Sequence, residues 1–326
     1  MSIQTPFHTS IMKNHYTFEN LKRAIRNPVL IGREAVRLTS WPIHKGYGKY
    51  TDRKYGEGID VMAEDWDNLF ILDACRYDYF ERLNTVDGTL YKAPSKGKKS
   101  WEFMRENFAI GEFHDTVYVT ANPFSTDLDE DTFYHIDHLH ADRWDEDIGT
   151  VQPDDVVSAA IEAHEQYPDK RLIVHFMQPH RPYLGETADE LRRRLDLQGY
   201  GKHEEGIQIW GAVKQRDVTF QEIRDAYTES LEIALDHVEE LLEEVSGKSV
   251  VTADHGEMLG ERVFPFTSRV WGHMEGFSTP TLREVPWLVI DADERREIRS
   301  SDPIESEGDL DDDEIADRLE ALGYAD

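Results

Sequence analysis

Residues Val250-Val251-Thr252-Ala253-Asp254-His255-Gly256-Glu257 set a carboxylate beside an imidazole at the end of a β-branched run. Such a run predicts a buried strand, with Asp254 and His255 at its carboxyl end. In open α/β sheets that end is where ligands bind. Where a strand ends the chain turns, so neighbouring side chains can converge on one cation, and Gly256 permits the bend. Carboxylate plus imidazole suits Zn or Mn and can serve a harder divalent ion. The plainer alternative is a strand end followed by a loop. A second run, Trp66-Asp67-Asn68-Leu69-Phe70-Ile71-Leu72, stops at Asp73, with Arg76 and Asp78 just beyond. Two strand ends could therefore bring two carboxylates and an imidazole to one site. Arg76 could add a planar fork of donors for an oxyanion.

Four segments in this order resemble the signatures of sulfatase-like enzymes of the alkaline phosphatase superfamily: Ile71-Leu72-Asp73-Ala74-Cys75-Arg76-Tyr77-Asp78, His175 to Tyr183, Asp254 to Glu261, and Trp271-Gly272-His273 followed by Arg283-Glu284-Val285-Pro286. The closing Leu319-Glu320-Ala321-Leu322-Gly323-Tyr324 is similar to the end of many such domains. The resemblance runs from about Asp67 to the C-terminus. It implies an alkaline phosphatase-like fold, a metal held by Asp73, Asp254 and His255, and a nucleophile a few dozen residues after Asp73.

That interval contains Ser95-Lys96-Gly97-Lys98-Lys99-Ser100-Trp101. Ser100 opens a predicted helix with Trp101, Met104 and Phe108 on its apolar side. A hydroxyl at a helix N-terminus meets unpaired amides and a favourable dipole, both suited to an anionic ester. The competing job for Ser100 is to cap that helix. Ser95, flanked by Pro94 and Gly97, reads as a turn and is the reserve nucleophile. The formylglycine pattern (Cys or Ser, one residue, Pro, one residue, Arg) is absent. Cys75 sits on the Asp73 strand and reads as a small buried hydrophobe. A hydroxyl attacking a phosphate ester fits better than a formylglycine sulfatase.

Pro179 and Pro182 predict an extended turn that presents His180 after its strand. His175 occupies the position where superfamily members with two metals carry an Asp, which puts a second ion in question. For His175 and His180, ligation, substrate binding and proton donation all remain open. His273 resembles the family's substrate-anion contact or second-metal ligand. His135, Asp137, His138 and His140 fall in a stretch read as a polar loop, with nothing to fix them as a metal site.

Elements that position these residues follow from periodicity. Strands are expected at 116–120, 171–176 and 285–290, and a helix at 153–167 with Asp154 and Asp155 in its first turn. Thr219-Phe220-Gln221-Glu222 is a capping box opening a long helix that Gly247 stops. Residues 184–218 are polar and weakly periodic, either a lid over the site or a surface excursion. Alternating strands and helices predict an α/β fold, a three-layer α/β/α sandwich with a mainly parallel central sheet.

The chain has 326 residues and a net charge of −30, from 36 basic and 66 acidic side chains. With 39% hydrophobic residues and 7 Trp it is no disordered acidic tail. A dispersed acidic surface suggests a halophilic habit, where salt screens the charges, and it argues against a nucleic-acid partner. A single Cys excludes an internal disulfide. No spanning helix or signal-peptide pattern is seen, so a cytoplasmic protein is expected, with peripheral membrane contact as a variant. Residues 1–55 carry 10 Lys/Arg and 3 Asp/Glu, a net +7 that leaves −37 on the remainder. Phe18, Leu21, Ile25, Val29 and Val36 have helical spacing broken at Pro28. This arm either packs across the acidic body, the favoured reading, or contacts a membrane or anionic surface.

The chain therefore divides into a basic arm (1–60), a sulfatase-like catalytic domain (61–300), and an acidic linker with a docking helix (301–326). It is expected to be a metal-dependent hydrolase of phosphate or sulfate esters acting through a covalent intermediate. Ser100, His180 and His175 would be catalytic, and Arg76 and His273 would bind substrate. Asp73, Asp254 and His255 would hold Mn, Zn, Ca or Mg, with a second ion in question. The alternatives are a phospho-group transferase or mutase on the same fold, acting on a sugar or lipid, and a non-catalytic relative.

Overall fold

Asn68–Leu72 (β1) is wholly buried, and each strand beside it also carries a run of apolar residues. Strands covered on both faces read this way, and they assemble as parallel neighbours between helical layers. A computed structural model describes residues 46–195, 217–263, 269–273, 277–304 and 312–322. The basic arm before residue 46, residues 196–216 of the expected excursion and 305–311 of the acidic linker lie outside the described residues.

The central sheet has seven strands. Besides β1 they are Thr89–Pro94 (β2), Phe113–Thr120 (β3), Phe133–His138 (β4), Arg171–Phe176 (β7), Ser249–Thr252 (β8) and Glu284–Ile290 (β11). The order is β2-β11-β8-β1-β7-β3-β4. From β8 to β4 every pairing is parallel, while β11 runs antiparallel to both β8 and β2. The sheet is thus mixed but mainly parallel, flanked by helices as an α/β sandwich. Two small two-stranded sheets accompany it: Trp144–Asp145 (β5) with Thr150–Val151 (β6), and Met258–Arg262 (β9) with Arg269–Gly272 (β10).

The helices are Tyr77–Leu83 (α1), Ser100–Asn107 (α2), Pro153–Gln166 (α3), Glu186–Leu195 (α4), Phe220–Glu244 (α5), Pro280–Arg283 (α6) and Asp312–Ala321 (α7), and residues 46–55 are also helical. α5 opens with the predicted capping box, Thr219 and Glu222 each accepting from the other's backbone N–H. Its stripe Ile223, Tyr227, Leu231, Ala234, Leu235, Val238 and Leu241 is buried. α4 gives regular structure to part of the polar stretch after Leu184.

β2 and β4 were not expected from the sequence. β4 corrects the loop assigned around His135: Phe133 and Ile136 are buried, and His135, Asp137 and His138 are registered against β3. An edge strand exposes part of both faces, so its polar residues hide the period-2 signal. Even so fixed, His135, Asp137, His138 and His140 do not form a ligand group among the described residues.

Tyr227 of α5 ties the helix layer to the site. Its hydroxyl donates to Ala74 O at 2.8 Å and accepts from Arg76 N at 2.9 Å. Ala74 has φ 58°, the left-handed region a non-glycine residue enters only when held there. Tyr227→Phe leaves both backbone groups without this partner in a buried place, and should cost about 1–3 kcal/mol in denaturant unfolding.

Helix α7 docks through Arg318, which donates to the His140 carbonyl and lies 5.5 Å from the Trp144 ring. His140 is fully buried, and among the described residues neither of its ring nitrogens has a hydrogen-bond partner. Burial, then His138 and Arg318, hold it at about 3; burial holds His138 at about 4. Both depressed values lie below the ordinary 6.5. Below that value the unfolded chain takes up protons that the folded chain refuses. The contribution of these two rings to stability is therefore full above pH 6.5 and falls as the pH drops toward these values. His140→Leu should flatten the loss between pH 7 and pH 5 by about 2 kcal/mol, read from urea midpoints.

Candidate active site

Parallel strands end on one side of the sheet, so their first loop residues share one crevice. Asp73 follows β1, Asn122 lies just past β3, His175 is the fifth residue of β7, and Asp254 and His255 follow β8. Backbone bonds fix these ends together: Asp73 N donates to Phe176 O, Ala121 N to His175 O, and His180 N to Asp73 O. Gly256 lets the chain turn under tight packing, since a Cβ there would lie 2.0 Å from Thr281 O.

Asp73, His175 and Asp254 are completely buried and offer ligand atoms within 4.8 Å of one another. The Nε2 atom of His255 lies 3.4 Å from Asp254 Oδ2 and 3.8 Å from Asp73 Oδ1. Its Nδ1 donates to Gly256 O at 2.8 Å, so Nε2 presents its lone pair to the carboxylates. Asp254 Oδ1 accepts from the backbone N–H of Ala74 and His255, at 2.9 and 2.8 Å. Among the described residues neither Asp254 Oδ2 nor His175 Nε2 has a hydrogen-bond partner. Burial and then Asp254 push the Asp73 carboxyl well above the usual range. Two buried carboxylates, an inward lone pair and an unsatisfied oxygen are the chemistry of a divalent-cation site.

Ser100 joins this group. Its hydroxyl donates to Asp73 Oδ2 at 3.0 Å and lies 3.4 Å from His255 Nε2. It is the first residue of α2, whose N-cap is Lys99, and Lys99 makes no side-chain cap bond. The hydroxyl is turned toward Asp73, and the capping alternative does not describe it. Phe103 and Phe108 hold the helix in place, edge to face at 5.5 Å, with Phe108 also 5.5 Å from Tyr118 of β3. Ser95 is spent elsewhere: its hydroxyl donates to Asp254 O and accepts from Gly97 N. Cys75 is buried, with its thiol pushed up by burial.

His175 goes with the first group, its Nε2 3.8 Å from Asp73 Oδ2 and its Nδ1 2.8 Å from the Tyr118 hydroxyl. Burial lowers it to about 4, so the ring is neutral. A second group brings together His180, His273 and Glu257, again with ligand atoms within 4.8 Å. Glu257 Oε2 lies 3.5 Å from His273 Nδ1, and the His255 and His273 rings are 4.6 Å apart. The two groups are therefore adjacent. His180 Nδ1 donates to Arg181 O at 2.6 Å. Burial, then His273 and Arg181, hold it well below the ordinary value. A neutral ring with its N–H committed is suited to ligation and not to donating a proton from Nε2.

Arg76 departs from its expected substrate role. Its Nε and Nη2 grip Asp78 at 2.9 and 2.8 Å, and Nη1 meets Glu261 at 2.5 Å. The planar fork of donors expected to meet an oxyanion is taken up by these two carboxylates. Buried Arg181, 5% exposed, is instead the guanidinium whose charge reaches His180 and His273.

Sequence reasoning also missed Asn122, which donates to Asp73 Oδ2 at 2.7 Å. Glu257 and Tyr118 were likewise given no role. Asn122 could have been found as the polar residue just after a predicted strand. Glu257 stood inside the Asp254-His255-Gly256 run. Tyr118 carried no signal, because a strand tyrosine is ordinarily core.

No family model matches the chain, and no curated protein matches its sequence. Solved structures are similar to it at low identity. The C-terminal periplasmic domain of EcEptC from Escherichia coli, in complex with Zn, is 14% identical over 72% of this chain and 76% of that one, with a TM-score of 0.45. The soluble domain of lipooligosaccharide phosphoethanolamine transferase A from Neisseria meningitidis is 9% identical over 68% and 75%, with a TM-score of 0.41. A protein in the alkaline phosphatase superfamily from Vibrio parahaemolyticus is 15% identical over 73% and 62%, with a TM-score of 0.37. At such values the likeness concerns fold alone, and the residue roles rest on this chain's own geometry. The comparisons give no support to a cytoplasmic placement; no helix among the described residues is long and apolar enough to cross a membrane. Among the solved structures to which the chain is similar is thus one named as a member of the alkaline phosphatase superfamily.

Proposed function

We propose that the chain is a metal-dependent enzyme that moves a phospho group from an anionic ester onto Ser100 and then to an acceptor. The observation that carries this reading is the Ser100 hydroxyl, 3.0 Å from buried Asp73 and 3.4 Å from His255 Nε2. Asp73, Asp254 and His255 would hold one divalent cation beside it. Such a cation supplies positive charge that eases loss of the serine proton and offsets the ester's negative oxygens.

Ser100 Oγ would give its proton up to solvent and attack phosphorus in line, forming a new P–O bond as the ester P–O bond breaks. The leaving oxygen takes the bonding electron pair and picks up a proton from solvent. Asn122 steadies Asp73 through Oδ2, the same oxygen that meets the serine hydroxyl. The first amides of α2 lie beside Ser100 and suit the ester's oxygens. His180, His273 and Glu257 form a donor set that suits a second cation, and Arg181 adds positive charge next to it. His175 is a neutral positioning residue for Asp73.

Water as the acceptor gives hydrolysis; a hydroxyl of a sugar or lipid gives transfer. Both share every step up to the second attack. The Neisseria structure is a phosphoethanolamine transferase by name, so transfer stands level with the hydrolysis expected from sequence. Product analysis with and without added acceptor alcohols separates them. For the basic arm, packing across the acidic body stays the favoured reading and membrane or anionic-surface contact the lesser one, both resting on the charge of residues 1–55.

Two predictions follow from the ligand set and the nucleophile. Asp254→Asn keeps Oδ1 as acceptor for Ala74 and His255 but removes the charge. It should lower affinity for Mn or Zn by at least about a hundredfold, measured by titration against a chelator; unchanged affinity would remove Asp254 from the site. Ser100→Ala should abolish turnover of aryl phosphate esters and the acid-stable phosphoserine detected by mass spectrometry. It should leave metal affinity within about tenfold. Ser95→Ala should keep the phosphoserine, and its loss there instead would place the nucleophile at Ser95.

A further inference from the structure

Two histidines face the same buried carboxylates, and what each Nδ1 meets decides what its Nε2 can do. His255 Nδ1 meets the Gly256 carbonyl at 2.8 Å. A carbonyl only accepts, so this Nδ1 carries the proton and Nε2 keeps a lone pair. His175 Nδ1 meets the Tyr118 hydroxyl, also at 2.8 Å. A hydroxyl can donate or accept, so the outcome is decided by what the hydroxyl itself meets.

Tyr118 and Thr120 stand two residues apart on β3, and Thr120 is the register partner of His175 on β7. The three side chains therefore leave one face of the sheet, and all three are completely buried. Thr120 Oγ1 accepts from Asn122 N at 3.1 Å. Its own proton is directed to the Tyr118 oxygen and, among the described residues, meets no other acceptor. With its oxygen accepting from Thr120, Tyr118 gives its proton to His175 Nδ1. The reverse order would strand the Thr120 proton in a buried place, and an unmade hydrogen bond there is costly. His175 is then left with its proton on Nε2. That nitrogen lies 3.8 Å from Asp73 Oδ2 and beside Asp254. An N–H suits a place facing two carboxylates, whereas a lone pair there would be repelled.

We propose that Thr120 and Tyr118 are positioning residues that hold His175 in its Nε2–H form, making it a donor toward Asp73 and keeping it out of the metal's ligand set. The use of that donor rests on the phospho-transfer reading: a phosphorylated Ser100 has no hydroxyl proton left for Asp73 Oδ2, and the His175 N–H takes its place. The test is a long-range proton–nitrogen correlation spectrum of the full chain labelled in histidine, with His175 assigned by its loss in His175→Gln. His175 should show a bare Nδ1 and a protonated Nε2, and His255 the reverse. Tyr118→Phe should shift the ratio of the two His175 forms about fivefold toward Nδ1–H. Thr120→Val should shift it the same way, and Thr120→Ser should keep the parent ratio. In protein loaded with cadmium, a spin-active stand-in for Zn, nitrogen–cadmium coupling should appear at His255 and be absent at His175. An Nδ1–H or doubly protonated His175 in the parent would overturn the proposal. So would cadmium coupling to His175, or a parent-like ratio in both Tyr118→Phe and Thr120→Val. The spectrum is read without turnover, so the expected tautomers beside a missing phosphoserine would overturn the Ser100 reading and leave this one standing.

Discussion

Asp73 and Asp254 stand side by side with no solvent exposure, and the rest of the site is arranged around that fact. Two like charges in a buried place repel each other and lose their hydration. Without a cation the least costly answer is to keep a proton, and the raised Asp73 carboxyl is that answer. Donors relieve part of the cost: Asn122 and Ser100 for Asp73, and two backbone amides for Asp254. Asp254 Oδ2 is left over. A local charge defect of this kind is what a divalent ion corrects.

The sheet makes the arrangement possible. Buried apolar strands stop within one or two residues of the ligands, so the carboxylates are carried on rigid supports. The antiparallel β11 brings Arg283 into position to hold the Ser95 turn, through Arg283 Nε to Ser95 O at 2.7 Å. Tyr227 pins the loop after Asp73 from the helix layer. Arg76, tied to Asp78 and Glu261, joins that loop to the β9–β10 hairpin region. Its charge serves the frame around the site.

Much of this was legible in the sequence, for a physical reason. Buried strands announce themselves as unbroken apolar runs, and Asp73 and Asp254 were visible as carboxylates that end such runs. α5 was legible from its capping box and stripe. β2 and β4 were not, because edge strands face solvent and mix polar with apolar residues. The ligand pairings hidden from sequence were those across elements. His175 faces Asp73, whereas His180 joins Glu257 and His273, and only the fold decides which histidine meets which acid. Arg76 was misread because sequence alone could not show that Asp78 and Glu261 would occupy it.

The central claim is that Asp73, Asp254, His255 and Ser100 converge on one divalent cation. Anomalous diffraction from crystals soaked in Mn or Zn, collected on both sides of the absorption edge, tests it most directly. The account predicts an anomalous peak bounded by Asp73, Asp254 and His255, with the Ser100 hydroxyl beside it, and loss of that peak in Asp254→Asn. Metal bound only at other residues, with this cluster bare, would contradict it.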